Sequence, residues 1–246
     1  MINLTGKRAL VTGGSRGIGA AIALALAENG ADVALTFQRS NERANAVVRS
    51  IEQLGRRATA IQADSADPTA IRRSVDEAVR ALGGLDILVN NAAIALYDTI
   101  ADFKVQDIDA LLAVNVRGPV LATQAALPHL GAGSRVITIG SAGADRIVGS
   151  TGTVYYMTKA ALQSFTRGLA HELGPRDITA NLVQPGSTDT DMNPADGEFS
   201  DFQRGLIPLG RFGAPADIAA TVAFLASPAA RQITGTIVNV DGGLLA

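Results

Sequence analysis

Arg8-Ala9-Leu10-Val11-Thr12-Gly13-Gly14-Ser15-Arg16-Gly17-Ile18-Gly19 is a short apolar run, a glycine cluster and the opening of a helical stretch, in that order. A strand that turns through glycine into a helix brings backbone N–H groups together with no side chains in the way. That is what the pyrophosphate of a dinucleotide needs. The spacing Gly13-x-x-x-Gly17-x-Gly19 is wider than the common Gly-x-Gly-x-x-Gly, and by itself it also fits a plain tight turn. Its position directly after the first strand favours the cofactor reading.

Outward from this segment, short apolar runs alternate with longer helical ones. Strands are expected at Arg8–Val11, Val33–Phe37, Ala58–Gln62, Ile87–Val89, Val136–Ile139, Thr179–Val183 and Ile237–Val240. Helices are expected at Gly17–Asn29, Asn41–Leu54, Pro68–Leu82, Gln106–Leu127, Thr153–Leu173 and Pro215–Ala226. Gly30, Gly55, Gly83-Gly84 and Gly174-Pro175 supply the helix stops. Strands separated by helices pair in parallel through right-handed crossovers. The expected architecture is α/β, a single Rossmann-type, doubly wound parallel sheet of about seven strands over residues 1–246, helices on both faces. From about residue 186 to 205 the composition turns to Gly, Pro, Ser, Thr, Asp and Asn, that of a mobile loop.

The 246 residues are 47% hydrophobic but only 4% aromatic, so the core must be built from Ala, Val, Leu and Ile. A net charge of −2 offers no basic stripe for nucleic acid. Cysteine is absent, which excludes disulfides, thiol catalysis and cysteine metal sites. Ala20 to Ala27 is far shorter than the ~18 apolar residues needed to span a bilayer. The start lacks the apolar stretch of a signal peptide, so a soluble, cytoplasmic protein is expected, without membrane partners. His171-Glu172 opens like a metalloprotease motif, but Pro175 stands where the second histidine should be. No catalytic metal is expected.

Tyr155 and Lys159 are one helical turn apart, and Ser141 lies fourteen residues before the tyrosine. A phenol, with an ordinary pKa of about 10, becomes a useful acid near neutrality when an ammonium favours its ionised form. Residues i and i+4 share a helix face, which suits this pairing. Tyr156 is a competing candidate, read as a packing residue. For the cofactor, the acid that binds a ribose 2′-OH is expected about 20 residues past the loop. That place reads Thr36-Phe37-Gln38-Arg39-Ser40 and holds no carboxylate. Arg39, beside Ser40, and Arg16 instead suit a 2′-phosphate, which favours NADP(H) over NAD(H).

Along its whole length the chain resembles the short-chain dehydrogenase/reductases of roughly 250 residues. Thr12 to Gly19 is similar to that family's cofactor loop, including Ser15 and Ile18. Asp64, next to Ser65, resembles its adenine-contacting acid. Asn90-Asn91-Ala92-Ala93 resembles its Asn-Asn-Ala-Gly signature, with alanine for glycine at Ala93. Asn115, Ser141, Tyr155 and Lys159 match its catalytic tetrad, and Asp241-Gly242-Gly243 its C-terminal signature. Pro185-Gly186, Thr188 and Thr190 match the segment that packs on the nicotinamide.

The resemblance implies reversible reduction of a ketone or aldehyde to an alcohol. Tyr155 would serve as general acid/base and Ser141 would fix the carbonyl oxygen. Lys159 would lower the tyrosine pKa and hold the nicotinamide ribose, and Asn115 would anchor a water in a proton relay. It also implies a homo-oligomer, expected as a D2 homotetramer. The family's 3-oxoacyl-ACP reductases tend to carry basic residues before the fifth strand, where this chain has Gly131-Ala132-Gly133-Ser134. A small free carbonyl compound is therefore favoured over a carrier-bound one. Gly140 to Arg146 and Val183 to Pro194 also resemble a subgroup described as cyclic-di-GMP-binding biofilm-dispersal mediators. That leaves a nucleotide-binding regulator as the alternative. Arg146 either steers a polar substrate or pairs near Asp145 with no chemical role. The loop acids Asp189, Asp191, Asp196, Glu198 and Asp201 disfavour a polyanionic ligand if they face it.

Overall fold

A computed structural model describes residues 2–246. It contains one sheet of seven parallel strands in the order β3-β2-β1-β4-β5-β6-β7. These are β1 Arg8–Val11, β2 Asp32–Phe37, β3 Ala58–Gln62, β4 Ile87–Asn90, β5 Arg135–Ile139, β6 Thr179–Pro185 and β7 Ile237–Val240. The helices are α1 Gly17–Glu28, α2 Asn41–Gln53, α3 Pro68–Leu82, α4 Val105–Leu112, α5 Gly118–Ala126, α6 Thr153–Leu173, α7 Ser200–Leu206 and α8 Pro215–Ala226.

Strand alternation sends neighbouring side chains to opposite faces, and each face has its own core. Ala9, Val11, Val33, Leu35, Ile87 and Val89 pack with Ile22 and Leu26 of α1, Val47 and Ile51 of α2, and Ile218 and Val222 of α8. Leu10, Ala34, Leu88 and Val136 face the other way, onto Val75 and Ala78 of α3, Ala126 of α5, and Leu169 and Leu173 of α6. Strands covered on both faces need near-continuous apolar runs, which is how the central strands β1 and β4 read. Local signals set the helix ends. The Asp67 carboxylate accepts the Thr69 amide at the start of α3, Pro68 occupies its first turn, and Gly83 ends it in the left-handed region at φ 78°.

Two segments depart from the sequence expectation. The helix expected over Gln106–Leu127 is three pieces, with a π-helical turn at Ala113–Arg117 joining α4 to α5. The segment expected to be loop from 186 to 205 contains most of α7. That helix is held by Arg204, which donates to Asp201, Ser200 and the carbonyl of Ala195.

The strands run parallel, but the order in which they are added reverses at β1: β2 and β3 lie to one side of it and β4 to the other, so the connections after β1 and β4 leave to opposite faces at the C-terminal edge of the sheet. That crevice is where an open α/β sheet receives a ligand.

Candidate active site

The loop after β1 is braced from two sides. The Thr12 hydroxyl accepts the amides of Asn91 and Ala92, both at 3.0 Å, and the Asn91 side chain donates back to the carbonyls of Thr12 (2.9 Å) and Gly13 (3.1 Å). Gly13 donates its amide to the Thr36 hydroxyl at 3.0 Å. The glycines at 13 and 19 are sterically required. A Cβ on Gly13, at φ +66°, would meet Ala92 Cα at 2.9 Å, and one on Gly19 would stand 2.3 Å from the Gly13 carbonyl oxygen. The first turn of α1 has neither a capping side chain nor an acidic residue, which leaves its amides and dipole for an anion. These residues fit a dinucleotide pyrophosphate.

The second wall comes from β6. Pro185 ends that strand, and Gly186 lies so close to the C-terminal signature that a Cβ would sit 2.7 Å from Asp241 Cα. Thr188 is buried, and its hydroxyl donates to the Gly186 carbonyl. Thr190 reaches the glycine loop, 3.4 Å from where a Gly17 Cβ would be. Asp64 accepts the Ala66 amide at 2.8 Å in the turn after β3, next to Ser65.

At the α2 side of the cleft, Arg16 is brought together with a residue the sequence reading missed. Arg43 in the first turn of α2 and Arg16 both contact Asp191 Oδ2, at 2.5 and 3.5 Å. The hydrogen bond from Arg43, aided by Arg16, holds the Asp191 carboxyl below its ordinary range. Arg39 is exposed and makes no ion pair among the described residues. A basic residue just after Arg39-Ser40 was the available signal for Arg43, but its acidic partner lies 148 residues away.

Ser141 follows β5 and Tyr155 opens α6, so strand end and helix start meet at one point. The Ser141 hydroxyl accepts the Gly143 amide at 3.1 Å. Burial drives the Tyr155 pKa well above its ordinary value, and Tyr97 adds to the rise, while a hydrogen bond with Ser141 opposes it. Lys159, one turn on, is 4% exposed and donates from Nζ to the Ile139 carbonyl at 3.1 Å. The same nitrogen is 6.0 Å from the Tyr155 ring centroid. Burial lowers the lysine pKa to about 8.

The expected lowering of the tyrosine pKa by Lys159 is therefore not what this geometry gives. The ammonium faces a carbonyl, its own charge is disfavoured, and desolvation of the phenol prevails. Tyr156 is a packing residue, as read from sequence. Its ring lies where a Gly143 Cβ would go, and its hydroxyl donates to Val148 O at 3.1 Å.

Asn115 is buried in the π turn. Its Oδ1 accepts the Ile94 amide at 2.9 Å, and its Nδ2 donates to the Ile94 carbonyl at 2.9 Å and to the Thr158 hydroxyl at 3.1 Å. Thr158 in turn donates to the Tyr155 carbonyl at 2.6 Å. With both polar atoms engaged, the side chain is a clamp between the segment after β4 and the turn of α6 that carries Tyr155.

Behind Ser141 lies a polar network. Asp145 accepts from Gln163 of α6 at 2.9 Å and from Gln184 of β6 at 2.7 Å, and Gln184 also donates to Asn239 of β7 at 3.1 Å. Arg146 donates to the Leu244 carbonyl at 2.7 Å. Of the two roles left open for Arg146, the contact made is the structural one.

A family description, enoyl-(acyl carrier protein) reductase, matches residues 13–245. A short-chain dehydrogenase from Burkholderia cenocepacia J2315, solved in complex with NADP, is 56% identical with a TM-score of 0.98, over 99% of this chain and 100% of that one. The cyclic-di-GMP-binding biofilm dispersal mediator protein of Escherichia coli K12 is 42% identical over 97% of each chain. The 3-oxoacyl-[acyl-carrier-protein] reductase of Staphylococcus aureus Mu50 is 41% identical over 97% of this chain and 98% of its own. The chain belongs to the short-chain dehydrogenase/reductase family of oxidoreductases.

Proposed function

We propose that this protein is an NADP(H)-dependent carbonyl reductase that interconverts a small ketone or aldehyde and its alcohol. The observation that carries the reading is the meeting of Ser141 and the buried Tyr155 beside a glycine-lined dinucleotide cleft. The NADP complex of the Burkholderia relative supports the choice of cofactor.

The nicotinamide, when bound, supplies or takes the hydride. Tyr155 gives its phenolic proton to the carbonyl oxygen in reduction and takes it back in oxidation. Ser141 positions the same oxygen through its hydroxyl. Lys159, titrating near 8, sets the local charge beside the phenol. Gly13, Ser15, Gly17, Ile18 and Gly19 receive the pyrophosphate, Arg16, Arg39, Ser40 and Arg43 the 2′-phosphate, and Asp64 and Ser65 the adenine. Asn91, Ala92, Ala93, Pro185, Gly186, Thr188 and Thr190 line the nicotinamide half. Tyr97, with its ring centroid 5.5 Å from that of Tyr155, gives the substrate an aromatic wall. Absorbance of NADPH against a panel of ketones and aldehydes tests the reading; no turnover of any carbonyl class would overturn it.

A second reading, a nucleotide-binding regulator, is carried by the Escherichia coli relative. Titrating cyclic-di-GMP while following NADPH oxidation separates the two. A regulator binds the dinucleotide without turnover, and a reductase oxidises NADPH whether or not it is present.

A further inference from the structure

The loop leaving β6 crosses to the cofactor side of the cleft. Thr190 packs at Gly17, and the next side chain, Asp191, puts a single oxygen on two guanidinium groups. The cations come from separate elements. Arg16 precedes α1 and Arg43 stands in the first turn of α2. The end of β2, where an adenosine ribose is read, leads directly into that turn.

We propose that Asp191 sets cofactor selectivity as a tethered anion: its carboxylate holds the arginine pair that a 2′-phosphate takes, so the phosphate must displace it. This rests on the reading of the cofactor as NADP(H). All three side chains are more than half exposed, at 59%, 58% and 55% for Arg16, Arg43 and Asp191. Ion pairs that exposed are weak against water, so the carboxylate yields to a better anion. A phosphomonoester is that anion, with nearly twice the charge and three strong acceptor oxygens that match the guanidinium fork. A 2′-hydroxyl has no charge to exchange and leaves Asp191 in place. The competition is felt by NADPH and not by NADH.

Fluorescence titrations of NADPH and NADH, with 2′,5′-ADP and 5′-ADP as probes lacking nicotinamide, test this on wild type, Asp191→Asn and Arg43→Ala. Asp191→Asn is isosteric at an exposed position and keeps the fold. It should bind NADPH and 2′,5′-ADP roughly three- to tenfold more tightly and change NADH and 5′-ADP less than about twofold. Arg43→Ala should weaken NADPH and 2′,5′-ADP selectively. Unchanged or weaker NADPH binding by Asp191→Asn overturns the proposal. Equal weakening of NADPH and NADH overturns it in favour of a clasp over bound cofactor. Wild type binding NADH as tightly as NADPH would instead overturn the cofactor reading, and is seen before any variant is made.

Discussion

Tyr155 and Tyr156 are adjacent phenols in different surroundings, and the difference predicts their variants. Tyr155→Phe removes the proton donor alone, so kcat should fall by about 10²–10⁴, with the Kd for NADPH within a few-fold. Tyr156→Phe loses a hydrogen bond to Val148 and should keep most of its turnover. Near-normal kcat in the first variant and loss in the second would reverse the assignment.

Lys159 carries a pH signature. Between its folded pKa of about 8 and its ordinary 10.5, the unfolded chain holds a proton that the folded chain has released. Stability from this group is therefore flat below 8 and rises with pH across that window. Tyr155, with its pKa raised above 10, acts in the opposite sense once the pH passes 10. Urea midpoints measured upward from pH 8 should rise more in wild type than in Lys159→Met; equal slopes would deny the buried ammonium. The Tyr-x-x-x-Lys spacing made the pair legible in sequence, because i and i+4 share a helix face. It said nothing of where Nζ points, and the Ile139 carbonyl decides the electrostatics.

Among elements, the π turn shows what sequence conceals. Gly118-Pro119 marks a break within the stretch from Val105 to Ala126, but it does not say that the break is a π turn, whose one extra residue has no signature of its own. The strands, by contrast, were legible to within one or two residues. Buried parallel strands must be apolar runs, and glycines stop the intervening helices. The short α7 was hidden because Gly197, Gly205 and the surrounding acids look like loop; the i,i+3 and i,i+4 contacts of Arg204 with Asp201 and Ser200 lie within it, and only the bond to the Ala195 carbonyl reaches outside. Asn115→Ala should leave the amide and carbonyl of Ile94 unpaired in a partly buried place. At about 1 kcal/mol for each of the two bonds, the low end that a partly buried site calls for, the Tm should fall by roughly 4–8 °C. A residue serving only a proton relay would lose kcat with Tm unchanged, so calorimetry beside kinetics separates the two roles.

For the whole molecule, the exposed apolar side chains bear on assembly. Leu112 of α4, Val120 of α5, Met157 of α6 and Phe224 of α8 all face outward on the described chain. The resemblance assigns the helices carrying Asn115 and Tyr155 to one two-fold interface, and the last strand with its neighbouring helix to the other. A D2 homotetramer covers both. Light scattering should give about four times the 25.2 kDa chain mass. Phe224→Asp should reduce it to a pair, and a monomeric mass for wild type at micromolar concentration would sink the expectation. No helix among the described residues is long and apolar enough to cross a membrane.

The bond from Arg146 to the Leu244 carbonyl has a practical side. Leu244 is buried against its own subunit, and the neighbour of its bonding partner, Asp145, belongs to the polar network behind Ser141. A segment fused after Ala246 is attached two residues from that carbonyl, and one that displaces it should also disturb Arg146 and the polar network behind Ser141. An affinity tag placed there should slow turnover while leaving cofactor retention intact, whereas the same tag ahead of Ile2 should be silent. Purification handles and fluorescent fusions for this protein belong at the amino end.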